Sequence, residues 1–243
     1  MKRISPNIAL AGCLAATAIF CSTLIAQEAA KVATASSAQA AQNKPAQKEY
    51  HPGDFYLESS HVYTLVGKTG LGHEHGVVGE IKSGELHLGS AKDAGEIVFD
   101  MTSFVADTDA ARKYVGLEGT SSASTQQQVT DNMLGDQVLN VKKYPTATFR
   151  VISAEPYEKL SKRKLPQYLL KGEFTLQETT RPLEFLVEVE MAKGWQHVRG
   201  GFRIKQTDYG MKPFTKAFGA IGVADELTIW GDAWVAPTSG SSN

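Results

Sequence analysis

LEFLVEVEM, from Leu183 to Met191, decides the fold class. Leu183, Phe185, Val187, Val189 and Met191 are apolar, Glu184, Glu188 and Glu190 stand between them, and Leu186 alone breaks the order. Strand side chains point alternately to opposite faces, so this stretch is a strand with one dry face and one acidic, wet face. The period recurs. Thr146 to Ile152 sets Ala147, Phe149 and Val151 on one face, and Tyr168 to Leu176 alternates Tyr168, Leu170, Gly172, Phe174 and Leu176 with Lys171, Glu173 and Thr175. His61–Val66, Glu80–Leu88, Gly95–Phe99, Val198–Ile204 and Glu226–Val235 are further strands between Gly-containing turns.

The interval from Asp107 to Asn140 breaks the alternation. Asp107-Thr108-Asp109 offers capping oxygens, and Ala110 to Val115 has helical composition. Gly116 to Ser124 reads as a flexible break, and Thr125 to Leu134 as a second short helix ending at Gly135. The expected fold is all-β: an antiparallel sheet of about eight strands with a short helical excursion in mid-chain. Such a sheet either pairs with a second sheet or closes on itself. A closed barrel removes exposed edges and can enclose a ligand.

Composition limits the partners. The 243 residues carry a formal charge of −1, which gives no electrostatic reason to expect nucleic acid. Lys2 and Arg3 precede an apolar run from Ile8 to Ala26, so residues 1–26 read as an export signal or an N-terminal anchor. Residues 27–49 are rich in Ala, Ser, Gln and Lys and read as a disordered spacer. Residues 50–236 form the expected folded domain, and 237–243 a polar tail. Both cysteines, Cys13 and Cys21, lie in the leader. A protein cleaved beyond Ala26 has no thiol for a disulfide, a nucleophile or a Cys-based metal site. The expected location is periplasmic or secreted, with membrane association through the N-terminal segment if that segment is retained.

Several segments carry a family resemblance. YLESSHVYTLVGKTGLGHEHGVVG, Tyr56 to Gly79, resembles the opening of the YceI-like family of exported lipid-binding proteins, a Tyr-x-x-Asp-x-x-His-Ser strand and a His-x-Gly turn. VLNVKKYPTATF, Val138 to Phe149, resembles its Asp-Val-x-x-Tyr-Pro-x-x-x-Phe element, and LKGEFTLQETTRPLEFLVEV, Leu170 to Val189, its Thr-x-Pro strand pair. TDYGM at Thr207 to Met211 and VADELTI at Val223 to Ile229 are similar to two further elements, in the family's order. The resemblance implies a lipocalin-like barrel holding a long apolar chain, such as a polyisoprenoid or a fatty amide. Departures occur where the family has a mid-chain His, Asp-Phe-Phe and His-Gly. Here stand Asn132, Gln137-Val138-Leu139 and Gln177-Glu178, with extra polar sequence near Gly116 to Gln128. They bear on ligand identity more than on fold.

Other constellations have competing readings. His73 and His75 share a face if they lie on a strand, and with His61 or His87 they would offer a metal site. The alternative is a hydrogen-bonding role at the barrel rim. Glu184, Glu188 and Glu190 fit a solvated face better than acid–base work. No Gly-x-Ser-x-Gly elbow is present, and neither an enzyme nor a cofactor is expected. Trp230 and Trp234 share one face of the last strand, opposite Leu227, Ile229, Ala233 and Val235, and either face suits the interior. Gly210 suits a positive φ at a strand exit. Phe214, Phe218 and Ile221 give the following loop apolar weight, as a lid over the mouth or a plug of the core. The expected ligand-binding residues are Phe149, Val151, Leu170, Phe174, Leu176, Phe185, Val187, Val189, Phe202 and Ile204. The expected function is that of an exported carrier of a long-chain apolar small molecule. A His-dependent metal or redox-linked protein and a self-filled structural barrel are the alternatives.

Overall fold

The alternating stretches become long antiparallel strands in the computed structural model, which describes residues 49–237. The expected leader, most of the spacer and the end of the tail lie outside these residues. The strands are β1 (His61–Gly70), β2 (His75–Leu86), β3 (Gly95–Ala106), β4 (Thr146–Tyr157), β5 (Gln167–Leu176), β6 (Thr179–Ala192), β7 (Trp195–Lys205), β8 (Thr215–Lys216) and β9 (Ile221–Val235). They pair in the order β1-β2-β3-β4-β5-β6-β7-β9, and β1 pairs back to β9. Eight strands therefore close a barrel, and the two-residue β8 lies along β9. Closure leaves no long edge to template aggregation.

Register keeps one apolar row inside. Phe149 sits opposite Phe174, Val189 opposite Val198, and Phe202 opposite Ile229. Bulges between Val78 and Glu80 and between Val151 and Ser153 bend the strands, as closing a small barrel requires. Met191 belongs to the inward row by period but is 50% exposed, because it lies at the end of β6 beside the turn to β7.

Two helices interrupt the strands as the sequence suggests. The first, α1 (Asp109–Tyr114), is capped by Thr108, whose side chain accepts from the Ala111 amide. The second, α2 (Ala123–Leu134), is capped by Ser122 and stops at Gly135. It begins two residues earlier than expected because the Ser122 hydroxyl satisfies the Thr125 amide. Asp107 does not cap. Its φ of 57° turns it away from the helix and into the fold.

Both helices, the β1–β2 turn and the segment from Gln206 to Ala220 lie at one end of the barrel, the mouth. The other end, the floor, carries the β2–β3 and β6–β7 turns. Phe55 closes the floor, and its segment is strapped to the last strand by Tyr56 N–H to Trp234 O (2.8 Å) and Ala236 N–H to Asp54 O (2.8 Å).

Candidate functional site

The inward rows do not fill the barrel. They enclose a cavity of about 230 Å³ lined by 36 residues, of which Thr64, His75, Asn132 and Gln206 are the polar ones. Of the ten residues expected to meet a ligand, Phe149, Leu170, Phe174, Leu176, Phe185, Val187, Phe202 and Ile204 lie on the cavity wall. Val151 and Val189 are buried but not on that wall. Val151 pairs with Gly95 and Val189 with Val198, near the floor ends of their strands. The phenyl rings form a continuous set inside: Phe185 lies 5.6 Å from Phe149 and 4.8 Å from Phe202, and Phe174 lies 6.1 Å from Phe99.

Sequence reasoning missed much of the β3 wall and the ceiling. Ile97, Phe99 and Met101 alternate inward, but the next inward residue is Phe104, three positions on. The phase changes where the Asp100 side chain accepts from the Thr102 amide and hydroxyl, in the bulge by which β3 carries extra residues between Asp100 and Val105. The ceiling comes from α2, through Val129, Asn132 and Met133, and from Val138, Leu139, Met211 and Phe214. Three positions that depart from the family pattern, Asn132, Val138 and Leu139, are thus on the ceiling, and Gln177 Nε2 donates to the Val138 carbonyl (2.6 Å).

A polar station stands at the mouth. His75 Nδ1 is 2.6 Å from Asp107 Oδ2, and Asp107, 1% exposed, also accepts from the Gly76 amide (3.1 Å) and from Arg112 Nη1 (3.1 Å). Burial would raise the Asp107 carboxyl, but the bonds from His75, Gly76 and Arg112 outweigh it and hold the carboxyl below its ordinary range. An ionised Asp107 fixes the proton on His75 Nδ1. In the neutral ring Nε2 then carries a lone pair. It has no protein partner among the described residues, and the imidazole is part of the cavity wall. Arg112 also donates to the carbonyls of Glu118 and Gly119, which ties the loop after α1 to the same station.

The histidines are not brought together as a metal set. His73 lies in the turn before β2, so the shared-face argument does not apply to it. His61 faces outward beside Tyr63, and His87 lies beyond the far end of β2, about 40 Å along the strand from His75. Among the described residues no three His, Cys, Asp or Glu side chains gather in a metal-binding group.

The outer face answers two open readings. Leu227, Ile229 and Ala233 line the cavity, so Trp230 and Trp234 face outward. Trp234 stacks on His197 at 4.1 Å, and His197 Nε2 is 2.6 Å from Asp232 Oδ1. Tyr114 of α1 stacks on Tyr63 at 3.7 Å, and burial, then the charge of Asp232, pushes its phenol pKa up. Glu188 and Glu190 are not simply solvated. Arg163 and Arg199 clamp them at 2.7 to 3.4 Å.

A closed eight-stranded barrel with an apolar chamber and this order of sequence elements has known counterparts. The sequence profile of the YceI-like domain matches residues 57–233. The chain belongs to the YceI-like family. Among solved structures, BcnA of Burkholderia cenocepacia is 19% identical, aligns over 75% of this chain and 100% of its own, and gives a TM-score of 0.53. A YceI protein of Campylobacter jejuni is 13% identical over 79% of this chain and 92% of its own, with a TM-score of 0.38. At that identity the likeness to BcnA bears on the fold alone. No curated protein matches the chain.

Proposed function

We propose that this YceI-like protein is an exported carrier that holds a long apolar molecule, polyisoprenoid or lipid-like, inside its barrel. One observation carries the reading: the closed interior is open space, and all but four of its 36 lining residues are apolar or glycine. A self-filled structural barrel would have packed that space with its own side chains. Binding works by burial. Each chain methylene removed from water contributes about 0.8 kcal/mol, so a long chain needs few polar contacts to be held. Those contacts are at the mouth, where His75 Nε2 accepts a hydrogen bond from the ligand's polar head. The reading uses the His75–Asp107 pair to hold the ligand's head and assigns the protein no reaction.

Export rests on the basic start and the apolar run from Ile8 to Ala26. The carrier therefore works outside the cytoplasm, free or tethered by that segment. The metal-binding alternative is not favoured, because His73 is off the strand and, among the described residues, no three His, Cys, Asp or Glu side chains gather around His75.

The test is native mass spectrometry with organic extraction on protein purified from its own envelope. The expected result is a long-chain species at one per barrel, released by solvent. Protein free of any lipid, which also takes up none when offered alcohols, amides and prenyl chains of graded length, overturns the reading.

A further inference from the structure

We propose that the barrel mouth docks on an anionic lipid surface through the β1–β2 turn and the β8–β9 hairpin. The inference rests on the carrier reading and adds where cargo is exchanged. The loop from Met211 to Ala220 is divided in its roles. Phe214 turns inward onto the cavity wall, whereas Phe218, four residues on, is fully exposed at the hairpin tip. Leu71 is 78% exposed on the neighbouring turn, and its amide donates to the Ala220 carbonyl at 2.9 Å, so the two tips form one projection. Ile221, also exposed, pairs with Gly70 at its base.

The tip holds its aromatic ring outward against backbone preference. Ala217 and Phe218 both take left-handed conformations, φ 50° and 55°, which glycine or asparagine adopts with less strain. An unstrained turn or a ring folded back over Phe214 would satisfy the hairpin by itself. The exposed ring therefore calls for an apolar environment outside the protein.

Charge identifies that environment. Residues 67–73 and 209–224 contain Lys68, Lys212 and Lys216 and no Asp or Glu; of the acids that begin just beyond them, Glu74, Asp208 and Asp225, Asp225 is engaged by Thr207 and Asp208 lies beside Arg181. Apolar side chains on a convex tip, with lysines in the same two segments, suit the interface of an anionic bilayer, where rings enter the acyl boundary and ammonium groups meet headgroups. A protein partner would need a concave pocket for the same projection. Val223, two residues from Ile221, is already on the cavity wall. The base of the projection thus stands about 7 Å beyond the chamber wall and the tip farther out, and docking brings the opening to the surface from which an apolar chain is drawn.

The experiment places a reporter on the tip of the full chain. Phe218→Trp is mixed with vesicles of phosphatidylglycerol and phosphatidylcholine, and its emission is compared with that of the parent protein, which carries the other tryptophans. The expected result is a blue-shifted difference spectrum that brominated acyl chains quench. Neutralising Lys212 and Lys216 to Gln should weaken the effect roughly fivefold for each lysine. Phe218→Asn, which relieves the backbone, should lose docking while its unfolding midpoint stays or rises. Because the reporter reads the tip alone, anchoring by the N-terminal segment cannot imitate the result. Extraction of the same samples separates the two claims. A lipid-loaded Phe218→Trp protein whose difference spectrum ignores vesicles overturns docking and leaves the carrier reading standing. A shift caused by envelope proteins but not by vesicles also overturns it.

Discussion

At the floor of the barrel Phe55 is 3% exposed and held by main-chain hydrogen bonds that run both ways between its segment and the last strand. Ser60 adds to them, donating to the Tyr56 carbonyl (2.7 Å) and accepting from the Trp234 amide (2.9 Å). At the mouth the corresponding cover is α2, in which Thr130 is the one buried residue and Ala106 N–H to Thr130 Oγ1 (3.0 Å) the bond to the barrel wall. Gly116 and Gly119, both at positive φ with open space around them, precede α2. Backbone ladders open only when the sheet opens, whereas a helix resting on half-buried side chains lifts at small cost. The chamber thus has one cover tied by main-chain bonds and one that rests mainly on side chains. The polar station at His75 stands at the second end, fixed to β2, Asp107 and α1.

The largest way to break this contrast is at the floor. Phe55→Ala should lower the stability of the whole barrel by about 3–5 kcal/mol, measured by denaturant unfolding, because it empties a packed site under a rigid strap. Asp107→Ala comes next, at about 3 kcal/mol, since it strands Arg112 and His75 without their anion. Its effect depends on pH in a fixed direction. Asp107 has a depressed folded pKa, so its contribution is full above the ordinary carboxylate value of about 4 and is lost as pH falls through the lower folded one. The gap between parent and variant should therefore close in acid. Met133→Ala in α2 should cost only about 1 kcal/mol, since the residue is half-buried. Its larger effect should be on cargo, with faster release in a chase against empty vesicles. The finest discriminator is hydrogen exchange. The amides of α2 should exchange before those of β4 and β5, at a rate the floor variant does not change.

Much of this was legible in the sequence, and the remainder has identifiable causes. A period of two survives translation into structure wherever a strand is regular, so β5, β6 and β7 announced both their existence and their inward rows. Phe104 was hidden because a bulge shifts the phase within β3. The His75–Asp107 pair was hidden because its members are 32 residues apart and meet only when β2 and β3 pair, with Asp107 in a left-handed conformation at the strand's end. The direction of Trp230 and Trp234 was undecidable from the strand alone, since each face carries large apolar side chains and only closure against β1 and β7 selects one. Phe214 and Phe218 looked alike in a loop whose backbone turns one inward and the other outward.

Two glycines make the chamber's space and supply its most direct test. Gly200 and Gly231 face each other across β7 and β9 on the cavity wall. A Cβ on Gly200 would strike the Leu186 carbonyl at 2.6 Å, so β6 requires that glycine. A Cβ on Gly231 would meet nothing within 4 Å, and its φ is ordinary for a strand. Gly231→Leu therefore fills the chamber without disturbing its wall. The decisive measurement is native mass spectrometry of the parent and Gly231→Leu proteins, purified side by side from the same envelope. A carrier chamber predicts that the variant folds with equal or greater stability and loses the long-chain species the parent carries. A variant that is folded and still carries that species at the parent's stoichiometry would contradict it.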